Sequence, residues 1–169
     1  MVKLSDILVL GMNTLSGDIS NLNSLANLRI EGANTVTGNV ENLTNLKIFI
    51  MGGNYSIYGD LSVLTKLHYI GIFGSPKLLT ISNVTNIKGL CTLMVFGIEL
   101  TSTNVNQLLS DFWLNKDETK PIASRQILIN GNAYSGAPTG QGLIDKAALQ
   151  AYRSPNNDAQ YALWTVSTR

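Results

Sequence analysis

A glycine that returns at regular intervals constrains this chain more than any other feature. Successive glycines lie 21, 21, 21, 23 and 34 residues apart, and they are Gly11, Gly32, Gly53, Gly74, Gly97 and Gly131. Apolar residues stand four and two positions before each glycine, and these pairs are Ile7 and Val9, Leu28 and Ile30, Phe49 and Met51, Ile70 and Ile72, Leu93 and Val95, and Ile127 and Ile129. This alternation predicts a half-buried strand in every unit. One unit cannot bury its own apolar edge, so the units must stack on one another.

A second glycine marks the return leg of the first three units. Gly17, Gly38 and Gly59 are each followed by Asp or Asn and then by an aliphatic residue. Leucines link one unit to the next, at Leu4, Leu22 and Leu25, Leu43 and Leu46, and Leu64 and Leu67, followed by Ile87 and Leu90. A coil of 21 residues leaves no room for a full helix beside the strand. We therefore expect a return leg of 3₁₀ turns or a short second strand.

The pattern changes after residue 100. The unit between Gly97 and Gly131 is 34 residues long, and its extra length predicts a helix. Thr103 is the predicted N-cap of this helix. An amphipathic stripe follows at helical spacing, formed by Val105, Leu108, Leu109, Phe112 and Trp113.

The remaining residues predict one more helix between two strands. The strands are expected at residues 125–130 and 162–167, and the helix at about residues 141–152. We expect Leu143, Ala147 and Ala151 on the inner face of that helix. Every solenoid needs a cap over its last coil. We therefore divide the chain into repeats at residues 1–100 and a C-terminal cap at residues 101–169, continuous with the same solenoid.

The repeated skeleton L-x-x-L-x-(I/V/M)-x-G, followed by N-T-L-S-G-D-I and N-T-V-T-G-N-V, resembles the leucine-rich repeats, in their short plant-type and bacterial versions. The resemblance implies an α/β solenoid with a curved parallel sheet, irregular, 3₁₀ or short-strand return legs, and an α/β C-terminal cap. It also implies binding on the strand-lined face. The tail, with N-V-N-Q-L-L-S-D-F, A-P-T-G-Q-G-L-I-D-K-A-A-L-Q-A and W-T-V-S-T, is similar to the closing segment of repeat proteins of Bacteroidetes and their phages. That similarity implies a surface or virion protein.

The strand face itself holds an unusual group of apolar residues. If the residues before each glycine point inward, the alternate residues point outward. The outward positions of units three to five carry what we call the apolar patch, composed of Ile48, Ile50, Tyr69, Phe73, Met94 and Phe96. An exposed apolar patch of this kind marks an interface. The alternative is an inverted register in unit three, with Ile48 and Ile50 inward, although Gly53 keeps its phase only when Phe49 and Met51 are inward.

Composition and charge exclude several classes of partner. The net charge is +1 without a basic cluster, which argues against nucleic acid. No apolar run approaches the roughly 18 residues of a membrane helix. The first residues, M-V-K-L-S-D-I, lack the apolar segment of a secretory signal, so we expect none.

Candidate chemical groups are sparse, and we predict no catalytic residue, metal site or cofactor. His68 and Cys91 occupy related positions on adjacent coils, but no acid or oxyanion feature accompanies them. Asp18 and Asp60 recur in the return leg, where a turn role is favoured over a calcium ladder. The glycine-rich loop with Gly136, Gly140 and Gly142 has no Lys-Ser/Thr after it, and a cap turn is favoured over phosphate binding.

These observations favour a non-enzymatic binding or assembly module. We expect its partner to be another protein chain, either a virion component or a host surface molecule, and self-association is a further option. The first expectation is a phage virion structural or host-attachment component, located in the virion. The alternative is a bacterial adhesion or protein-interaction module, located on the cell surface or secreted as part of a longer chain, and an enzyme is a distant third.

Overall fold

The protein is a parallel β-solenoid in a computed structural model that describes residues 3–11, 15–32, 35–53, 56–74, 78–96, 100–116, 126–129, 137–151 and 165–168. Two parallel sheets run along it within these residues. The first sheet has the spatial order β1-β3-β5-β7-β9-β10-β11, and the second has the order β2-β4-β6-β8. The predicted solenoid is therefore confirmed.

The strands of the first sheet are those predicted from the 21-residue repeat and its extension. In chain order they are β1 (Asp6–Val9), β3 (Asn27–Glu31), β5 (Ile48–Gly52), β7 (Tyr69–Phe73), β9 (Thr92–Phe96), β10 (Gln126–Ile129) and β11 (Thr165–Thr168). Equivalent positions of successive coils pair directly, so that Leu28 lies beside Phe49 and Phe49 beside Ile70. Residues 125, 130 and 162–164 of the two predicted C-terminal strands lie outside the described residues.

The return legs are short strands rather than helices. They are β2 (Ser16–Asp18), β4 (Thr35–Asn39), β6 (Ser56–Asp60) and β8 (Leu78–Thr80), and a 3₁₀ helix (Leu61–Val63) follows β6. At the last residue of β2, β4 and β6 a polar side chain closes the turn. Asp18, Asn39 and Asp60 each accept a hydrogen bond from the backbone N–H two residues later, at 2.8 to 2.9 Å. The Asp18 and Asp60 side chains thus serve the turns, as favoured from the sequence.

The core lies between the two sheets and contains the inward residues of the ladder. Phe49 and Met51 are buried, and Ile48 is 37% exposed, which establishes the register predicted from Gly53. The inverted register is therefore wrong. Gly32 shows why the ladder needs glycine. Its φ is +112°, and a Cβ on Gly32 would lie 1.8 Å from the carbonyl oxygen of Gly11 in the previous coil.

Two helices replace the second sheet at the C-terminal end. They are α1 (Ser102–Leu114) and α2 (Gln141–Ala151). The N-cap of α1 is Thr101, so the predicted N-cap Thr103 is wrong. The Thr101 side chain accepts from the backbone N–H of Asn104, and the Asn104 side chain accepts from the backbone N–H of Thr101. This reciprocal pair satisfies two amides at the start of the helix.

Helix α2 packs on α1 through a face that the sequence did not predict. Leu143 is 53% exposed, and Ala147 and Ala151 are also exposed, so the predicted inner face is wrong. The buried residues are instead Gly142, Asp145 and Leu149. Gly142 allows close approach, because a Cβ there would lie 2.1 Å from Oδ1 of Asn106 on α1. The Asp145 carboxylate accepts hydrogen bonds from Ser110 on α1 and from Gln141.

Candidate functional site

The outer face of the first sheet brings the six residues of the apolar patch together. They lie on the adjacent strands β5, β7 and β9. Ile48 and Phe73 are exposed, and Tyr69, Met94 and Phe96 are half-buried. Ile50 points to the same face and is nevertheless only 9% exposed. The patch is therefore a continuous surface with one member covered by its neighbours.

Glycine at position 71 explains how Ile50 becomes covered. Gly71 lies between Ile50 and Met94 in the register of the sheet. A Cβ on Gly71 would lie 3.1 Å from the Phe73 ring and 3.1 Å from the Tyr69 ring. The two rings thus converge over the space that a side chain at position 71 would occupy.

The aromatic residues are held by further contacts on β9. The Phe73 and Phe96 rings are stacked, with centroids 5.4 Å apart and an interplanar angle of 15°. The Tyr69 hydroxyl donates a hydrogen bond of 3.2 Å to Sδ of Met94. Burial raises the pKa of Tyr69 above its ordinary value; the Arg29 charge opposes this shift and the Glu31 charge adds to it. The phenol is therefore a neutral hydrogen-bonding group at physiological pH.

A groove of about 540 Å³ runs beside this aromatic cluster, and it is lined by Arg29, Glu31, Gly32, Ile50, Gly52, Tyr69 and Phe73. We call it the strand-face groove. Its volume falls within the range of small-molecule sites. On the side of β3, Nε of Arg29 donates to Oε1 of Glu31 at 2.9 Å, and this ion pair is partly exposed. One wall of the groove is thus charged and the other is aromatic.

Three residues of the groove, Arg29, Glu31 and Gly52, were not predicted as site residues from the sequence. The 21-residue spacing nevertheless contains a pattern that indicates a groove at this place. Glu31, Gly52 and Phe73 occupy the same position in three successive coils and pair in the sheet. When a glycine occupies the position between two large side chains at equivalent positions of the neighbouring coils, a gap between those side chains is predicted.

The remaining chemical candidates have structural partners. The Cys91 thiol is buried and donates to the backbone carbonyl of His68 at 2.9 Å, and Nδ1 of His68 lies 3.3 Å from the carbonyl oxygen of Gly89. The Gly142 amide donates to the carbonyl of Thr139 at the start of α2. Gly136 lies outside the described residues.

Metal-ligating side chains do not cluster in the part of the chain that the structure describes. Within it, no group of three or more His, Cys, Asp or Glu residues is placed to hold a metal ion. Neither of the helices described there is long and apolar enough to cross a membrane.

Comparison with known proteins found no relative of this chain. No protein-family model, curated protein or solved structure matches it.

Proposed function

We propose that this chain is a non-enzymatic binding module that holds its partner on the outer face of the first sheet. The observation that carries the proposal is the strand-face groove beside the exposed apolar patch. A charged wall, an aromatic wall and a glycine floor within one surface give a partner both apolar contact and fixed hydrogen-bonding groups. Aromatic and arginine side chains of this kind contribute most to binding energy at interfaces.

The solenoid is further proposed to be of the leucine-rich-repeat type, with α1, β10, α2 and β11 acting as its C-terminal α/β cap. The repeated skeleton supports the first assignment, and the replacement of return strands by packed helices supports the second. The tail similarity favours a phage virion protein that is structural or attaches to the host. Its partner is then another virion chain or a host surface molecule. A bacterial surface adhesion module is the alternative.

Substitution of Phe73 by Asp tests the binding face. Labelled protein is incubated with virions and with host cells from the biological source of the chain. The amount of bound protein is then measured. Because a charge replaces an aromatic contact, we expect Phe73→Asp to lose about 2 kcal/mol or more of binding free energy, which corresponds to about thirtyfold or more in affinity. Phe73 is 39% exposed, so the fold should survive, which circular dichroism will check.

Tyr58→Asp is the matched control, because Tyr58 is 44% exposed on a return strand and lies away from the proposed face. Equal binding by both variants would refute the strand-face proposal. Mass spectrometry of purified particles and of envelopes from uninfected cells separates the two locations. A virion protein is enriched in the particles, and an adhesion module is enriched in the envelopes.

A further inference from the structure

The strand-face groove includes Gly52, which lies between two larger side chains. Glu31, Gly52 and Phe73 are direct neighbours on β3, β5 and β7. Adjacent strands lie about 4.8 Å apart, so the Cα atoms of Glu31 and Phe73 are separated by about 9.6 Å across the glycine. Because Gly52 has no side chain, a gap remains between the side chains of Glu31 and Phe73.

The two walls of the groove offer a ligand different kinds of contact. The Phe73 side offers an apolar aromatic surface, rigidified by stacking on Phe96. The opposite side offers the guanidinium of Arg29 and the carboxylate of Glu31, one group rich in donors and one in acceptors. A ligand that satisfies both walls must have an apolar face and a hydroxylated edge.

We propose that the strand-face groove binds a single neutral sugar ring of a glycan, stacked on Phe73 and hydrogen-bonded through adjacent hydroxyls to Arg29 and Glu31. The proposal rests on the proposed binding function of this face and names its ligand. The charges favour a neutral ligand, because Arg29 and Glu31 compensate each other at 2.9 Å. An anion attracted by Arg29 would be repelled by the Glu31 carboxylate, and a cation attracted by Glu31 would be repelled by the Arg29 guanidinium.

An apolar side chain of a protein partner fits the groove less well. It would remove water from the partly exposed Arg29–Glu31 pair and return no hydrogen bond, which is unfavourable for buried polar groups. Sugar hydroxyls replace the displaced water. A peptide backbone cannot pair with the sheet here either, because β3, β5 and β7 each have a hydrogen-bonded strand on both sides. Recognition at this place must use side chains.

Gly52→Val provides the sharpest test of this proposal. Gly52 is not among the glycines with positive φ, and a Cβ there meets its nearest atom, Cγ of Glu31, at 3.4 Å. Valine is therefore compatible with the strand and fills the gap between the two walls. The full-length ¹⁵N-labelled protein is titrated with the methyl glycosides of glucose, galactose, mannose and N-acetylglucosamine. Amide shifts are followed at Gly32 and Gly71 in every variant, and at Gly52 in the proteins that keep it.

We expect at least one glycoside to shift these amides in the wild type, and Gly52→Val to weaken its binding at least about tenfold by filling the site. Arg29→Ala should weaken the same titration. Thr35→Val and Tyr58→Ala, which alter exposed residues on the return strands, are the matched controls and should bind as the wild type does.

Two results would overturn the sugar assignment. One is a wild type that responds to none of the four glycosides, and the other is unchanged sugar binding by Gly52→Val. Either result leaves the binding face itself to the Phe73→Asp experiment. If Phe73→Asp weakens binding to cells or virions as predicted, the face binds a partner other than these sugars, and only the sugar assignment is refuted. If Phe73→Asp has no effect, the proposed function fails with it.

Discussion

Asp60 connects two coils through its carboxylate. Oδ1 accepts from the Ser62 backbone N–H at 2.9 Å in its own turn, and Oδ2 accepts from the Ser82 hydroxyl at 2.7 Å in the next coil. Burial raises the pKa of this carboxyl, and the hydrogen bonds from Ser82 and Ser62 outweigh it, so that the pKa lies below the ordinary value of 3.8. The ionised carboxylate therefore stabilises the fold.

The pH dependence of stability follows from this lowered pKa. A lowered pKa in the fold means that the stabilisation is present above the ordinary value of 3.8 and is lost as the pH falls through the folded value. We expect Asp60→Asn to lose less stability than the wild type between about pH 4 and pH 2, measured by urea unfolding at each pH. Ser82→Ala keeps the Asp60 charge and removes one hydrogen-bond donor to it. Its loss of stability over this pH range should therefore lie between that of the wild type and that of Asp60→Asn. Parallel pH profiles for all three proteins would contradict this role.

At the scale of single residues, the repeat predicts to which side of the sheet a side chain points better than it predicts how far that side chain is buried. The alternation that places Phe49 inward also places Ile50 outward, and both predictions hold. The burial of Ile50 to 9% depends on the missing side chain at Gly71 and on the two rings that converge there. That arrangement involves three coils at once, and no pattern within one coil contains it.

Helix α1 is fastened to the solenoid by a buried acid. Asp111 is fully buried and accepts hydrogen bonds from the Val84 backbone N–H and the Thr85 hydroxyl, both at 2.7 Å, and from Gln107 at 2.8 Å. One turn later, the Asn115 side chain donates to the carbonyls of Val84 and Thr85. Among the described residues, β8 is the last strand of the second sheet, and the two side chains of α1 supply hydrogen bonds to the return leg that follows it.

Removal of this anchor should destabilise the fold strongly. Asp111→Ala leaves the buried backbone N–H of Val84 without its acceptor and removes the hydrogen bonds from Thr85 and Gln107. Because a buried unsatisfied group costs about 1–3 kcal/mol, we expect a loss of about 2 kcal/mol or more in the free energy of unfolding. Gln107→Ala is the control, since it removes one donor only and should cost about 1 kcal/mol or less. Chemical denaturation measures both. Equal, small losses would show that apolar packing alone holds the helix.

The two helices differ in how far their sequence predicts their packing. The stripe of α1 is regular, and Val105, Leu108, Leu109 and Phe112 are all buried. The buried face of α2 contains Gly142, Asp145 and Leu149, of which only Leu149 is a large apolar residue. An apolar pattern therefore selects the wrong face of α2. The decisive contacts are a close approach at Gly142 and a carboxylate paired across the helices, and neither leaves an apolar signal.

Across the whole molecule, burial increases from the first coil inward. Ile7 and Val9 are half-buried, whereas their equivalents Leu28 and Ile30 in the second coil are 1% exposed. Leu8, on the outer face of β1, is 66% exposed. In a stack where each coil contacts only its neighbours, the local stability of a coil follows the number of covered sides.

Hydrogen exchange should reveal this gradient. We expect the amides of β1, which has a paired strand on one side only, to exchange first by local opening. Those of β7 should exchange last, because β7 is the middle strand of the seven in the first sheet. Exchange of the intact protein followed by two-dimensional NMR measures each strand separately. Uniform protection from β1 to β9 would show that the solenoid opens only as one unit.

The replacement of return strands by helices changes the spacing between successive coils on one side of the solenoid. Strands on one side advance by about 4.8 Å per coil throughout, and packed helices on the other side need about 8–10 Å each. From β9 onward we therefore expect the coils to be wider on the side of α1 and α2 than on the side of β10 and β11. Coils of this shape would stack in an arc with the first sheet on its inner side. A partner that extends from the strand-face groove towards β11 would then meet a concave surface.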